Sequence, residues 1–155
     1  MSELKEGSKA PIFSLLDQDG EKVSLKDLKE DYIVLFFYPK DNTPGCTLEA
    51  KAFTKLKKKF ENLNTKVIGI SGLDQKSKKK FCEKAALDLT LLSDTDGVVG
   101  EKYDTYGEKT FMGRKYKGFH RKTFIIGKDR KLTKIYDKVK PEGHAEEVLK
   151  EIASY

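Results

Sequence analysis

The hydrophobic pattern is densest at residues 31–37, where Ile33, Val34, Leu35, Phe36 and Phe37 follow one another without a polar break. A short run of β-branched and aromatic residues predicts a strand buried on both faces. From 47 to 60 the period changes. At about 100° per residue, Leu48, Ala52, Phe53, Leu56 and Phe60 fall in one stripe, which predicts an amphipathic helix. Between the two lies Tyr38-Pro39-Lys40-Asp41-Asn42-Thr43-Pro44-Gly45, a Pro/Gly/Asn turn that hands the chain from strand to helix.

The same reading continues along the chain. Residues 10–16 and 22–25 flank Asp17-Gln18-Asp19-Gly20 and predict an N-terminal β-hairpin, followed by a short helical turn at 24–31. Residues 66–71 and 89–92 read as strands. Residues 74–87 and 98–103 read as helices, the first with its N-cap near Leu73 or Asp74 and with Phe81, Cys82, Ala85 and Ala86 on one face. The span 105–119 carries Gly107, Gly113 and Gly118 without a clear period and is expected to be irregular. Residues 122–126 and 131–139 predict antiparallel strands, and 143–155 a final helix with Ala145, Val148, Leu149 and Ile152 on one face. Alternating βα units imply parallel strands joined by right-handed crossovers. The expected fold class is therefore α/β, a central mixed β-sheet flanked by helices on both faces.

Composition narrows the class. The chain has 155 residues, 37% hydrophobic and 36% charged, which suits one soluble domain over 1–155 with an adequate core. No apolar run approaches the roughly 18 residues of a membrane span. Residues 1–9 lack a signal-peptide core, so a cytoplasmic location is expected. The net charge of +6 comes mainly from lysines, as in Lys57-Lys58-Lys59 and Lys78-Lys79-Lys80. These runs read as solvated helix faces rather than a nucleic-acid surface. Two cysteines do not make a disulfide scaffold for a chain this long, leaving inert core residues or redox chemistry.

Cys46 enters at the start of the predicted helix. The N–H groups of a first helical turn lack intrahelical partners and carry partial positive charge. A thiolate there is favoured over a thiol. Thr43 is near enough for its hydroxyl to bond the sulfur or a substrate oxygen, and Pro39 and Pro44 stiffen the turn. Position alone also suits an ordinary N-cap with a small buried cysteine, and both readings stand at this point. Glu49 falls inside the apolar stripe, so it either reaches solvent near the helix start or takes a partner, for which Arg121 is the candidate.

Other thiol chemistries fit less well. A C-x-x-C reductase would need a cysteine where Glu49 stands, and a tyrosine-phosphatase loop an arginine where Ala52 stands. A cysteine hydrolase would have to use His120 or His144. No zinc-ligand spacing is present. A redox-sensing or holdase module using the same thiol remains a distinct, non-enzymatic reading, separated from an enzyme by turnover with a reductant.

Pro39-x-x-x-Thr43-x-x-Cys46 resembles the peroxidatic motif of the peroxiredoxins. The longer string Phe37-Tyr38-Pro39-Lys40-Asp41-Asn42-Thr43-Pro44-Gly45-Cys46-Thr47-x-Glu49 is very similar to that of their bacterioferritin comigratory (Q-type) subgroup. Gly7-x-x-Ala10-Pro11-x-Phe13 is similar to the family's opening. The resemblance implies a thioredoxin-like fold and reduction of hydrogen peroxide and organic hydroperoxides by Cys46, with no metal or organic cofactor. It also implies a thioredoxin or similar dithiol reductant, a monomer, and no nucleic-acid or membrane partner. By the same resemblance Thr43, Gly45, Cys46 and Arg121 bind the peroxide, Pro39 shapes the pocket, and Glu49 and Tyr38 support it. Lys122 stands where the family has Ser or Thr after its arginine, which leaves Arg121 in register. Lys51 occupies the position of the commoner resolving cysteine of the subgroup. A second form carries that cysteine in the next helix, so the resemblance implies that Cys82 resolves Cys46 as an intramolecular Cys46–Cys82 disulfide. A disulfide needs Cα atoms within about 7 Å, and two cysteines on separate packed helices are expected to meet it by local unwinding. The alternative for Cys82 is a small buried hydrophobe.

Overall fold

The computed structural model describes residues 4–155. Met1, Ser2 and Glu3, part of the polar N-terminal stretch, lie outside them. Strands β1 (Ser14–Leu16) and β2 (Lys22–Ser24) form the expected hairpin, and β3 (Tyr32–Phe37) is the dense apolar run. Helix α1 (Pro44–Asn62), β4 (Thr65–Ser71), α2 (Gln75–Ala85), β5 (Thr90–Ser93) and the short α3 (Val98–Lys102) follow. Strands β6 (Tyr106–Phe111), β7 (Arg114–Phe119), β8 (Lys122–Ile126) and β9 (Leu132–Tyr136) lead to α4 (His144–Ala153). Among the described residues the main sheet has the order β2-β1-β5-β4-β3-β8-β9, and β6 and β7 pair apart from it. The β5-β4-β3 core is parallel and its flanking pairs are antiparallel. The sheet is mixed, and the fold is thioredoxin-like.

β3 sits at the centre because every residue from Ile33 to Phe37 is wholly buried. Val34 and Phe36 face one layer with Phe53 and Phe60 of α1, Phe81 of α2 and Val148 of α4. Ile33, Leu35 and Phe37 face the other layer with Val99 of α3, Tyr103 and Phe119. Stacked rings of Phe36 and Phe53, 4.7 Å apart, fix α1 across the strand.

Three expectations need correction. The span 105–119 is not irregular but a regular hairpin, paired from Tyr106↔Phe119 to Phe111↔Arg114. Its tip turns at Met112 and Gly113, both at positive φ. Such a turn matches the strand twist, but the strand Arg114–Phe119 is exposed for most of its length and therefore carries no buried period. On α1, Leu48 is exposed and Ala50 is fully buried, so the core stripe is rotated from the one predicted. The helix begins three residues earlier than expected, at Pro44, and its first turn carries Cys46 into the core. On α2, Lys78 is not on a solvated face but has no exposure at all, whereas Ala86 lies outside in a left-handed cap that stops the helix.

Candidate active site

β3 continues into Tyr38, whose N–H donates to Ile70 O. The chain then turns through Pro39 to Asn42, which adopts a left-handed conformation, and Thr43, which is extended. Pro44 opens α1 at a position where a missing N–H costs nothing. Cys46 is the third residue of that helix and is 1% exposed. The strand-to-helix hand-over thus places its sulfur against the sheet, within the first turn and its unpaired N–H groups.

Arg121 reaches this sulfur from the link between β7 and β8. Its Nη2 lies 3.3 Å from Cys46 Sγ, and its Nη1 donates to Glu49 Oε1 at 2.6 Å. Glu49, one helical turn beyond Cys46, is fully buried. Arg121 is mostly buried, with 17% of its side chain exposed. Burial disfavours the arginine charge, but the carboxylate of Glu49 and the sulfur of Cys46 outweigh it and raise the Arg121 pKa above the usual value. Burial also pushes the Glu49 carboxyl up to about 7, with Arg121 pulling the other way. Its second oxygen, Oε2, has no hydrogen-bond partner among the described residues.

Gly45 makes the close approach of the guanidinium possible. A Cβ there would stand 3.3 Å from Arg121 Nη2 and 3.5 Å from Pro141 Cγ. Pro141, on the approach to α4, therefore borders the same opening. Thr43 lies beside the site, but its hydroxyl donates to Lys40 O at 3.0 Å rather than to the sulfur. Pro39 is half-buried at the start of the loop. Tyr38 is buried behind it, and its hydroxyl donates to Asp41 Oδ1 at 2.6 Å.

The structure thus brings Gly45, Cys46, Glu49 and Arg121 into direct contact and lines Pro39 and Thr43 along the loop beside them. It does not join Cys82 to Cys46. Both thiols are free, with Cys82 half-buried on α2 against the core cluster that contains Cys46. Burial, then the Asp41 and Asp19 charges, push the Cys82 thiol up to about 11, opposed by Lys78. Sequence reasoning missed Asp41, Lys78 and Pro141. Asp41 lay within the motif but carried no signal of its own, and Lys78 was hidden in a run of three lysines. No helix among the described residues is long and apolar enough to cross a membrane.

A cysteine at a helix start, capped by a buried arginine on a thioredoxin-like sheet, defines a thiol-dependent peroxidase. The chain belongs to the AhpC/TSA family, whose model matches residues 7–135, and within it to the bacterioferritin comigratory, Q-type peroxiredoxins. A protein of Helicobacter pylori named putative peroxiredoxin bcp is 44% identical over 152 residues, 98% of this chain and 100% of that one. The crystal structure of a cysteine-to-serine variant of Xylella fastidiosa PrxQ matches with a TM-score of 0.92 and 34% identity, over 99% of this chain and 98% of that one. Two serine variants of Xanthomonas campestris peroxiredoxin Q, each at a different cysteine, match with a TM-score of 0.86 and 32% identity, over 92% of this chain and 90% of theirs.

Proposed function

We propose that Cys46 is the peroxidatic cysteine of a thioredoxin-dependent hydroperoxide reductase that resolves through Cys82. The observation that carries this reading is the Arg121 guanidinium held between Cys46 Sγ and Glu49. The thiolate sulfur attacks one peroxide oxygen. An S–O bond forms, the O–O bond breaks, and the other oxygen leaves as water or alcohol after taking a proton. Negative charge grows on the leaving oxygen, and fixed donors aimed at it lower the barrier. Arg121 and the Gly45 and Cys46 N–H groups supply them, with the Thr43 hydroxyl once it turns from Lys40. Glu49 aims Arg121, Pro39 shields the pocket, and Tyr38 steadies the loop through Asp41.

The Cys46 sulfenic acid then condenses with Cys82. An S–S bond forms, and hydroxide leaves with the Cys82 proton as water. A thioredoxin or similar dithiol returns both thiols and is itself oxidised. The two cysteines replaced in the Xanthomonas campestris structures have the same separation as Cys46 and Cys82, which supports the pairing. We assign this chemistry to one domain spanning 1–155, working as a cytoplasmic monomer without a cofactor and with no nucleic-acid or membrane partner.

The test is intact and peptide mass after one equivalent of hydrogen peroxide. A loss of two hydrogens with a linked Cys46–Cys82 peptide is expected. A stable oxidised Cys46 beside free Cys82 would overturn the resolving role, and an unmodified Cys46 after rapid mixing would overturn the peroxidase reading.

A further inference from the structure

A buried ion pair outside the peroxide chemistry joins the two segments that carry the cysteines. Asp41 lies in the loop that delivers Cys46, and Lys78 lies one helical turn before Cys82 on α2. Neither side chain has any exposure. Lys78 Nζ donates to both carboxylate oxygens of Asp41, at 3.2 and 3.1 Å, and to Ser71 Oγ. Tyr38 and Ser77 donate their hydroxyls to the same carboxylate, at 2.6 and 2.7 Å. Lys78 Nζ also stands 5.4 Å from the centroid of the Tyr38 ring. A lysine and an aspartate are seldom buried this completely unless paired, and the first turn of a surface helix has no need of such a pair.

We propose that the Asp41–Lys78 pair is a latch that positions the Cys82 helix in the reduced enzyme and sets how fast the Cys46 sulfenic acid is captured as a disulfide. The proposal rests on the reading of Cys82 as the resolving thiol. In this proposal capture moves α2 toward Cys46, and Lys78 moves with it. Asp41 then loses its counter-charge while still enclosed by Tyr38 and Ser71, which is the costly way to break a buried pair. The closed state also keeps Cys82 protonated and a poor nucleophile, because burial and the Asp41 charge raise its pKa. Two reactions compete for the sulfenic acid. Closure leaves it exposed to a second hydroperoxide, whose O–O bond breaks as a second S–O bond forms and alcohol or water leaves, giving sulfinic acid. Opening delivers Cys82, which displaces water and forms the disulfide. The latch sets the balance.

Lys78→Met and Asp41→Asn each strand one charge in the closed state and so narrow the gap to the open one. Both are expected to speed disulfide formation about tenfold, and to raise by about the same factor the peroxide needed for half-sulfinylation of Cys46. The rate of the first oxidation in Lys78→Met is expected to stay within about twofold of wild type. A purely structural role for the pair would lower stability without moving this partition. Hydrogen exchange on the wild-type protein supplies a second measurement that needs no variant. Residues 77–82 are expected to be protected in the reduced protein and to lose that protection in the disulfide form. Unchanged capture rates in folded variants, or retained protection of 77–82 after oxidation, would overturn the latch. Disulfide formed at equal rates in wild type and Lys78→Met removes the latch alone. Absence of any Cys46–Cys82 disulfide in wild type removes the resolving role and the latch with it.

Discussion

Glu49 and Arg121 meet at 2.6 Å with the Glu49 side chain fully buried, so the guanidinium that faces Cys46 is aimed from behind by a hydrogen-bond partner that water does not reach. The planar fork allows one nitrogen to hold Glu49 while the other faces the sulfur. A lysine is a single point charge and cannot do both. Arg121→Lys is therefore expected to lower kcat/KM for hydrogen peroxide about a hundredfold, the scale of losing one fixed donor to a developing oxyanion. Stopped-flow oxidation of Cys46 measures this directly. A loss below about threefold would mean that the arginine does not act on the transition state.

The same carboxylate gives the protein a pH signature. Its folded pKa of about 7 lies above the ordinary 4.5, with burial as the main cause. The folded state therefore holds this proton more tightly than the unfolded chain does. Stability from this group is fully present below pH 4.5 and is lost as pH rises to about 7. Urea midpoints of wild type and Glu49→Gln should nearly coincide at pH 5 and diverge by pH 8, with the glutamine variant the more stable. Parallel curves would show that Glu49 does not titrate there. The divergence would also show that the site sacrifices stability to keep its arginine aimed.

Cys82→Ser separates the two halves of the proposed cycle. The first oxidation of Cys46 is expected to keep its wild-type rate, because the Arg121 fork is held by Glu49 and Cys46 rather than by Cys82. Steady-state turnover with a thioredoxin-type dithiol should fall at least about tenfold, and sulfinic acid should accumulate at Cys46. Unimpaired turnover with that reductant would leave Cys82 as a core residue.

The sequence made the layers legible where burial imposes a period. β3 reads directly because all five central residues are enclosed, and the βα order follows from alternating periods. The active loop reads from its Pro-x-x-x-Thr-x-x-Cys string. What stayed hidden was set by contacts distant in the chain. The Glu49–Arg121 pair, 72 positions apart, is the exception, because a carboxylate on an apolar stripe calls for a partner and Arg121 was the candidate. Lys78 carries no mark that separates it from Lys79 and Lys80, since its burial is decided by Asp41 in another segment. The β6–β7 hairpin escaped because an exposed ribbon is held by backbone pairing, which leaves no hydrophobic trace.

Gly45 tests whether the distance between Arg121 and the sulfur matters apart from the arginine itself. A methyl group in place of its hydrogen would stand 3.3 Å from Nη2 and 3.5 Å from Pro141 Cγ. One neighbour is the end of a flexible side chain and the other a ring at the mouth, so both can yield by a few tenths of an ångström. Gly45 has no positive φ, and alanine suits a first helical turn, so the backbone itself tolerates the change. Gly45→Ala should thus leave the melting temperature near wild type while displacing Nη2 from Cys46. Peroxide reactivity is expected to fall about tenfold, short of the Arg121→Lys loss because the charge is displaced rather than reshaped. Bulky organic hydroperoxides should lose more than hydrogen peroxide, since the added methyl narrows the gap to Pro141. Equal reactivity toward both peroxides at the wild-type level would show that the guanidinium tolerates displacement, and that its charge rather than its placement carries the effect.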